Sequence, residues 1–230
     1  MGGLPAELAA LIWRRDCPGC GAPGEGVCAD CRTRLRAVPH RVGTVDWPPT
    51  FAAGPYGGPH RAVVLAAKTH HRSDAVRVLG EVTAGTVRHL VAEGAVADPR
   101  LVPLLLLPAP TRPSAARRRG GCVVLGACRE AAGSLTAGGG TVRVGEVCRL
   151  AEGARDSVGL DRVRRRENIA AALRFDSVTL ARQASWVART GATVVVVDDV
   201  STTGATVRQF SLACAARGLR PAAAVVVADA

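Results

Sequence analysis

The sequence has few aromatic residues and a single lysine. Phe, Trp and Tyr make up 3% of the 230 residues, so a hydrophobic core has to be built mainly from Ala, Val and Leu. The scarcity also disfavours a stacking platform for single-stranded nucleic acid, which needs interleaved aromatic side chains. Lys68 is the only lysine among 30 basic residues. The net charge of +11 favours an anionic partner, such as nucleic acid or a phosphorylated metabolite, although the arginine bias is also typical of a GC-rich genome.

A membrane-length apolar run and a signal peptide are also lacking. No segment approaches the roughly 18 apolar residues that a membrane-spanning helix needs. The first residues, MGGLPAELAALIWRRDC, have neither the basic start nor the small-residue cleavage site of a signal peptide, and their pattern predicts a short amphipathic helix. We therefore expect a cytoplasmic protein without membrane insertion, whose eight cysteines do not form a disulfide framework.

Strand-like and helical segments alternate after an irregular stretch rich in Pro and Gly. This stretch, Pro39–Pro59, predicts a linker between an N-terminal module (residues 1–45) and a larger domain (residues 51–230). The predicted strands of the larger domain are Leu101–Leu107, Val142–Leu150, Thr193–Val197 and Ala222–Val227, and its predicted helices are Arg61–Thr69, Asp74–Glu93, Ser114–Ala132 and Ala205–Arg217. The alternation predicts an α/β fold with a mostly parallel, doubly wound sheet.

Four cysteines lie close together near the N-terminus. They form two Cys-x-x-Cys pairs separated by seven residues: Cys17, Cys20, Cys28 and Cys31. This spacing predicts one tetrahedral thiolate site, for which zinc is the natural metal. Because the protein fills all four coordination positions, such a zinc ion would be structural. Reduced cysteines or a redox pair are the alternative interpretation.

A strand-like run that ends in two aspartates is the strongest functional motif. The segment Val194–Thr206 reads VVVVDDVSTTGAT and passes directly into a predicted helix. In an open α/β sheet, ligands gather at the carboxyl ends of strands. Backbone N–H groups at the start of the helix can bind a phosphate, and Asp198 and Asp199 can bind ribose hydroxyls or water-bridged Mg²⁺. The alternative interpretation needs no ligand: one aspartate would cap the helix and the other would be a surface charge.

An ATPase would use a similar apolar strand before its acidic residues. That interpretation requires a second loop of the form G-x-x-x-x-G-K-[ST]. The only lysine lies in Ala62–Thr69, where alanine occupies both of the required glycine positions. The sequence therefore excludes an ATPase of this type.

The segment Val194–Thr206 matches the signature of type I phosphoribosyltransferases. Together with the N-terminal cysteines, it makes the chain resemble, over nearly its full length, the ComF family of competence proteins. These are similar to phosphoribosyltransferases and carry an N-terminal zinc ribbon with four cysteines. Further matches to the family are Pro55–Pro59 (PYGGP), Leu107–Arg112 (LPAPTR), and the spacing of Leu160, Arg165 and Asn168.

The resemblance implies a type I phosphoribosyltransferase fold and a site for phosphoribosyl pyrophosphate (PRPP) with Mg²⁺. It implies catalytic roles for Asp198, Asp199, Arg112 and Arg165. The 5′-phosphate would bind the loop formed by Val200, Ser201, Thr202, Thr203, Gly204, Ala205 and Thr206. The pyrophosphate would face Ala109, Pro110 and Thr111. A mobile hood, about residues 151–170, would close over the leaving pyrophosphate, so that catalysis is largely positioning and charge stabilisation.

Several positions differ from the family pattern, including Gly121, Cys122, Val123 and Ser157. Two activities therefore stay open at the PRPP site, which are phosphoribosyl transfer to an unknown acceptor and PRPP binding alone. The alternative from another class is a nucleic-acid-associated accessory protein in DNA uptake. Its basic patch would consist of the zinc module and Arg14, Arg15, Arg32, Arg34 and Arg36. The sequence predicts neither the acceptor nor the oligomeric state.

Overall fold

The computed structural model describes residues 16–24, 26–43, 47–70, 72–118, 121–152 and 162–230. The strands are β1 His40–Val42, β2 Thr50–Ala52, β3 Leu104–Pro108, β4 Val142–Val144, β5 Cys148–Leu150, β6 Leu173–Phe175, β7 Thr193–Ser201 and β8 Ala223–Asp229. The helices are α1 Ala29–Leu35, α2 Gly58–Thr69, α3 Ser73–Ala92, α4 Pro113–Arg118, α5 Val123–Ala137, α6 Arg162–Ala172, α7 Ser177–Thr190 and α8 Ala205–Ala215. Among the helices in these ranges, none is long and apolar enough to cross a membrane.

The main sheet has six strands in the order β1-β2-β8-β7-β3-β4, and a separate sheet contains β5 and β6. Parallel pairing connects β2 with β8, β8 with β7, β7 with β3 and β3 with β4. At one edge, β1 pairs antiparallel with β2. The predicted α/β class with a mostly parallel sheet is therefore confirmed.

Strands β3 and β7 are buried on both faces, which explains their continuous apolar sequences. Leu104–Leu107 in β3 and Val194–Val197 in β7 point alternately to opposite faces of the sheet. One face packs against α7 and α8, including Trp186 and Phe210. The other face packs against α2, α3 and α5. Helices on both faces are what a buried parallel sheet requires.

The segment predicted as one strand, Val142–Leu150, contains two short strands that belong to different sheets. Gly145, directly after β4, packs so closely that a Cβ atom there would lie 3.2 Å from Leu107 Cδ2 and 3.2 Å from Gln183 Cγ. The chain then leaves the main sheet, and β5 pairs with β6. The prediction of a single strand is therefore wrong. The close packing at Gly145 involves residues that are distant in the sequence, so the pattern of this segment alone does not reveal it.

Two further segments differ from the sequence prediction. The helix expected over Ser114–Ala132 is divided into α4 and α5, and Gly121 between them has a φ of +150°, a conformation suited to glycine. The expected linker Pro39–Pro59 contains β1 and β2. Because β2 pairs with β8, backbone hydrogen bonds fix part of this segment to the main sheet.

The order of strands reverses between β3 and β7. The chain adds β4 beyond β3 on one side, whereas it adds β8 beyond β7 on the other. At such a reversal, the loops after the two strands separate and leave a crevice at the carboxyl edge of the sheet. The loops after β3 and β7 are the same two segments that the resemblance implies for PRPP binding.

Candidate functional site

The acidic pair lies at the carboxyl end of β7, inside the strand rather than after it. β3 ends at Pro108, which is opposite Val197. β7 continues beyond this point and pairs with β8, where Asp198 is opposite Val226 and Ser201 is opposite Asp229. The pair therefore has a neighbouring strand on one side and the loop after β3 on the other.

The two carboxylates have different environments. Asp198 Oδ1 accepts a hydrogen bond from the backbone N–H of Asp199 at 2.8 Å. Burial, and secondarily the negative charge of Asp199, raises the pKa of Asp198 to about 7. At neutral pH the pair therefore carries less than its full negative charge.

Lys68 also belongs to this site, a role that the sequence analysis did not assign to it. Its Nζ atom, near the C-terminal end of α2, lies 2.7 Å from Asp199 Oδ1. The side chains are 25% exposed for Lys68 and 13% exposed for Asp199, so the ion pair is shielded from water. No spacing rule in the sequence connects Lys68 with the acidic pair.

The loop between β7 and α8 has the features of an anion site at the start of a helix. Gly204 is the N-cap residue of α8 with a φ of +67°, and within the described residues no side chain caps the helix there. By contrast, the N-cap residue Asp176 of α7 accepts hydrogen bonds from the N–H groups of Val178 and Thr179. The first-turn N–H groups of α8 therefore remain suited to an external anion.

The hydroxyl groups of this loop are unequally exposed. Ser201 is 4% exposed, and its Oγ atom has no hydrogen-bond partner among the residues that the structure describes. Thr202 and Thr203 are exposed, whereas Ala205 is buried and Thr206 is half-buried. A buried hydroxyl without a partner is costly unless a ligand or water satisfies it, which supports a polar ligand beside the loop.

The predicted pyrophosphate loop lies next to the acidic pair. The backbone N–H of Ala109 donates to the carbonyl of Val197 at 2.7 Å. Ala109 and Pro110 are buried, and Thr111 and Arg112 are half-buried. The structure therefore brings together the start of the loop after β3 and the strand end that carries Asp198.

A cleft of about 420 Å³ opens beside this loop. Pro108, Ala109 and Thr111 line one part of it, and Cys122, Glu146 and Arg149 line another. The volume lies within the range of about 300 to 1,000 Å³ that is typical of small-molecule sites, but the acidic pair and the loop Ser201–Thr206 do not line this cleft. A larger groove of about 580 Å³ lies elsewhere, between α1 and α3, and contains none of the predicted PRPP residues.

The predicted hood lies only partly within the described residues. Residues 153–161 lie outside them, and so does Ser157. Arg165 lies in α6, but its side chain is outside the part of the chain that the structure describes, as are those of Arg162, Arg164 and Arg166. The role that the resemblance implies for Arg165 therefore stays a prediction.

The four N-terminal cysteines converge on one point. Their Sγ atoms all lie within 4.8 Å of one another, and the distance from Cys20 Sγ to Cys28 Sγ is 3.6 Å. A tetrahedral metal with bonds of about 2.3 Å to sulfur places its ligands roughly 3.8 Å apart. The cysteines are therefore positioned to bind one metal ion, as the spacing predicted.

Backbone N–H groups favour the thiolate form of one of these cysteines. Burial alone would raise the pKa of the Cys17 thiol, but the N–H groups of Cys28, Gly19 and Cys20 lower it to about 6. The N–H groups of Cys28 and Gly19 lie 3.3 and 3.4 Å from Cys17 Sγ. Because metals bind the thiolate, this arrangement prepares Cys17 for metal binding.

Two arginines of the N-terminal module lie against other parts of the chain. Arg32 donates to Glu81 of α3 at 2.8 Å. The guanidinium of Arg34 lies close to Gly58: a Cβ atom built on Gly58 would be 2.9 Å from Arg34 Nη2. Arg32 is therefore partly neutralised, which weakens the basic patch that the nucleic-acid alternative requires.

No model of a known protein family matches the chain, and a search of curated proteins finds no match. The resemblance to the ComF family therefore stays a prediction from the sequence motifs.

Proposed function

We propose that the protein binds PRPP and belongs to the ComF type of phosphoribosyltransferase-like proteins. The proposal depends on one observation, which is that the acidic pair, the uncapped start of α8 and the loop after β3 meet at the strand-order reversal of the sheet. A ribose bearing a phosphate at C5 and a pyrophosphate at C1 needs one binding element for each phosphate group and a third for the ribose hydroxyls. The fold would then be that of the type I phosphoribosyltransferases.

Each part of PRPP has a matching group at this edge. The 5′-phosphate would accept hydrogen bonds from the N–H groups of the loop Ser201–Thr206, with the helix dipole of α8 favouring its charge. Asp198 and Asp199 would accept hydrogen bonds from the ribose hydroxyls. The pyrophosphate would face Ala109–Arg112, where the guanidinium of Arg112 supplies positive charge.

Magnesium would enter this site with PRPP. Carboxylate oxygens suit Mg²⁺, but Lys68 already binds Asp199 Oδ1, so the acidic pair is better suited to the water shell of the ion than to direct coordination. When bound, Mg²⁺ would neutralise part of the pyrophosphate charge. The predicted requirement for Mg²⁺ would therefore depend on the pyrophosphate oxygens of the ligand rather than on direct coordination by the acidic pair.

Transfer would break the bond between ribose C1 and the pyrophosphate oxygen and form a bond from C1 to the acceptor. Positive charge develops on the ribose while negative charge leaves with the pyrophosphate, so groups fixed around both ends stabilise the transition state. The acceptor is not specified by the described residues. Transfer to an acceptor and PRPP binding alone are the two forms of the proposal.

Zinc would have a structural role in the N-terminal module. Four thiolates leave no open coordination position for a substrate. Cys31 and Leu35 of α1 are buried, and Leu35 packs in the same cluster as α2 and α3. We therefore infer that the metal fixes α1 to the larger domain.

Calorimetry with PRPP and Mg²⁺ tests the proposed function. The wild type should bind PRPP. The double variant Asp198→Asn/Asp199→Asn should lose at least about tenfold in affinity, because the two carboxylates that would accept hydrogen bonds from the ribose hydroxyls become neutral amides. Asp98→Asn is a matched control, since Asp98 pairs with Arg100 before β3 and away from the site. Absence of PRPP binding by the wild type would overturn the proposal.

Further measurements separate the alternatives. Release of pyrophosphate with one of a set of nucleobases would identify an enzyme, whereas binding without release would favour PRPP binding alone. Binding of DNA that persists in the double variant, but disappears when the N-terminal module is removed, would favour the nucleic-acid alternative. Such binding should also weaken steeply with salt.

A further inference from the structure

The ion pair between Lys68 and Asp199 connects two distant parts of the chain at the candidate site. Lys68 comes from α2, which packs on the sheet through Val63, Val64 and neighbouring residues. The Nζ–Oδ1 distance of 2.7 Å is that of a charge-assisted hydrogen bond. Because both side chains are largely shielded from water, this contact differs from ordinary surface ion pairs, which contribute little.

The charge balance of the strand end depends on Lys68. Asp198 and Asp199 are adjacent, and two like charges so close together repel each other. The ammonium of Lys68 neutralises one of the two carboxylates. The three groups together therefore carry at most one net negative charge, which is a poor site for a free divalent cation.

The choice of lysine at this position is informative in a chain that otherwise uses arginine. Lys68 is the single lysine among 30 basic residues. An ammonium is a compact charge with three donors, whereas a guanidinium is a broad planar group. One N–H of Lys68 binds Asp199, and two more can bind oxygen atoms of a ligand.

We propose that Lys68 is the resident cation of the acidic pair and a positioning residue for the sugar phosphate. Its ammonium holds Asp199 through Oδ1 and leaves the second carboxylate oxygen for a ribose hydroxyl. It also keeps a free divalent cation from binding to the pair. The ribose contact rests on the proposed function, whereas the exclusion of free divalent cations does not.

The first test measures binding of Mn²⁺ alone to the zinc-loaded protein by calorimetry. Lys68→Met should bind Mn²⁺ roughly 10- to 100-fold more tightly than the wild type, the range expected for one charged contact. Lys68→Arg keeps the positive charge and should resemble the wild type. Arg61→Met is a matched control, because it removes a positive charge from the same helix, where Arg61 lies over the Tyr56 ring. Equal Mn²⁺ affinity in Lys68→Met and the wild type would overturn the proposal.

The second test measures PRPP affinity in the same variants. Lys68→Met should lose roughly 10- to 100-fold in affinity, and Lys68→Arg should recover part of this loss. Unchanged affinity in Lys68→Met would refute the positioning role. If the wild type itself does not bind PRPP, the proposed function fails, while the Mn²⁺ measurement still decides the role of Lys68. Lys68→Gln replaces Lys68→Met in both tests if the latter does not fold.

Discussion

Ala109 donates its backbone N–H to the carbonyl of Val197 at 2.7 Å. This hydrogen bond extends the pairing of β3 and β7 one residue beyond Pro108. It fixes where the loop after β3 begins relative to Asp198, the next residue of β7. Two loops that are far apart in the sequence therefore begin at the same level of the sheet, and substitutions in either one should affect the same ligand.

We expect Gly204 to be needed both for the backbone conformation of the loop before α8 and for phosphate binding there. Its φ is +67°, so Gly204→Ala should lower the free energy of unfolding by about 1 to 2 kcal/mol. The substitution should also weaken PRPP binding at least about tenfold, because it changes the start of α8 where the phosphate is expected. Urea unfolding and calorimetry measure the two effects.

Gly191 supplies the control for this prediction. It has a φ of +65° at the end of α7, and among the described residues no atom lies within 4 Å of a Cβ built there. Gly191→Ala should have the same backbone strain but leave PRPP affinity unchanged. Equal affinities in the two variants would show that the loop at Gly204 does not bind the ligand.

Asp198 should make the protein less stable as the pH rises from about 4 to about 7. Burial raises its pKa from 3.8 to about 7, so in this window the folded chain holds a proton that the unfolded chain has released. The free energy of unfolding therefore falls through the window. Asp198→Asn stays neutral, and at about pH 8 it should be more stable than the wild type, by an amount on the order of a few kcal/mol.

Thermal unfolding of Asp198→Asn over this pH range checks the sign. The difference from the wild type should be small near pH 4 and largest above about pH 7. Asp176→Asn should behave in the opposite way, because the N–H of Thr179 lowers the pKa of Asp176 and its stabilisation is lost as the pH falls. A stability difference for Asp198→Asn that does not change with pH would contradict a buried, protonated carboxyl group.

Gly80 should be intolerant of a side chain because two helices meet there. A Cβ at Gly80 of α3 would lie 2.3 Å from Glu130 Cβ and 3.0 Å from the carbonyl oxygen of Ala127, both on α5. Gly80→Ala should lower the free energy of unfolding by about 1 to 3 kcal/mol, the usual effect of overpacking. Gly85→Ala on the same helix should instead stabilise by about 0.5 to 1 kcal/mol, since no described atom lies within 4 Å of a Cβ there. Urea unfolding of both variants decides whether the helices pack as closely as the structure indicates.

The cysteine cluster should determine the metal content of the protein. Cys20→Ser should abolish stoichiometric zinc binding, because its Sγ atom is one of the four that are positioned to bind one metal ion. Cys122→Ser should retain zinc, since Cys122 lies outside the cluster beside Thr111. Elemental analysis by mass spectrometry gives the zinc content of each variant. Retention of zinc by Cys20→Ser would contradict a site with four cysteine ligands.

The sequence predicted the elements whose pattern is local. The run Val194–Val197 predicted a buried strand, and the structure confirms β7 and the helix α8 that follows it. The cysteine spacing likewise predicted a cluster that the structure confirms. In these cases an apolar run or a short loop contains the whole signal, so no knowledge of distant residues is needed.

Features that depend on distant contacts were not predictable in the same way. Lys68 reaches Asp199 because α2 packs across the sheet, and nothing in the residues around Lys68 specifies that packing. The three-residue strands β1 and β2 have too few positions for a period to be recognised, and they are defined by their partners. Gly145, directly after β4, likewise lies where a Cβ would crowd Leu107 and Gln183, which only the folded chain brings together.

The uniform composition of β3 and β7 has a consequence for folding. Leu104–Leu107 and Val194–Val197 place the same residue type on both faces of the sheet, so a one-residue slip between them exchanges faces without exposing different side chains. Hydrophobic burial therefore barely opposes mispairing of these strands. A slip would instead move the carboxylate of Asp198 toward the apolar positions of the neighbouring strand, which opposes the mispairing. Asp198 thus also disfavours wrong strand alignments while the sheet assembles.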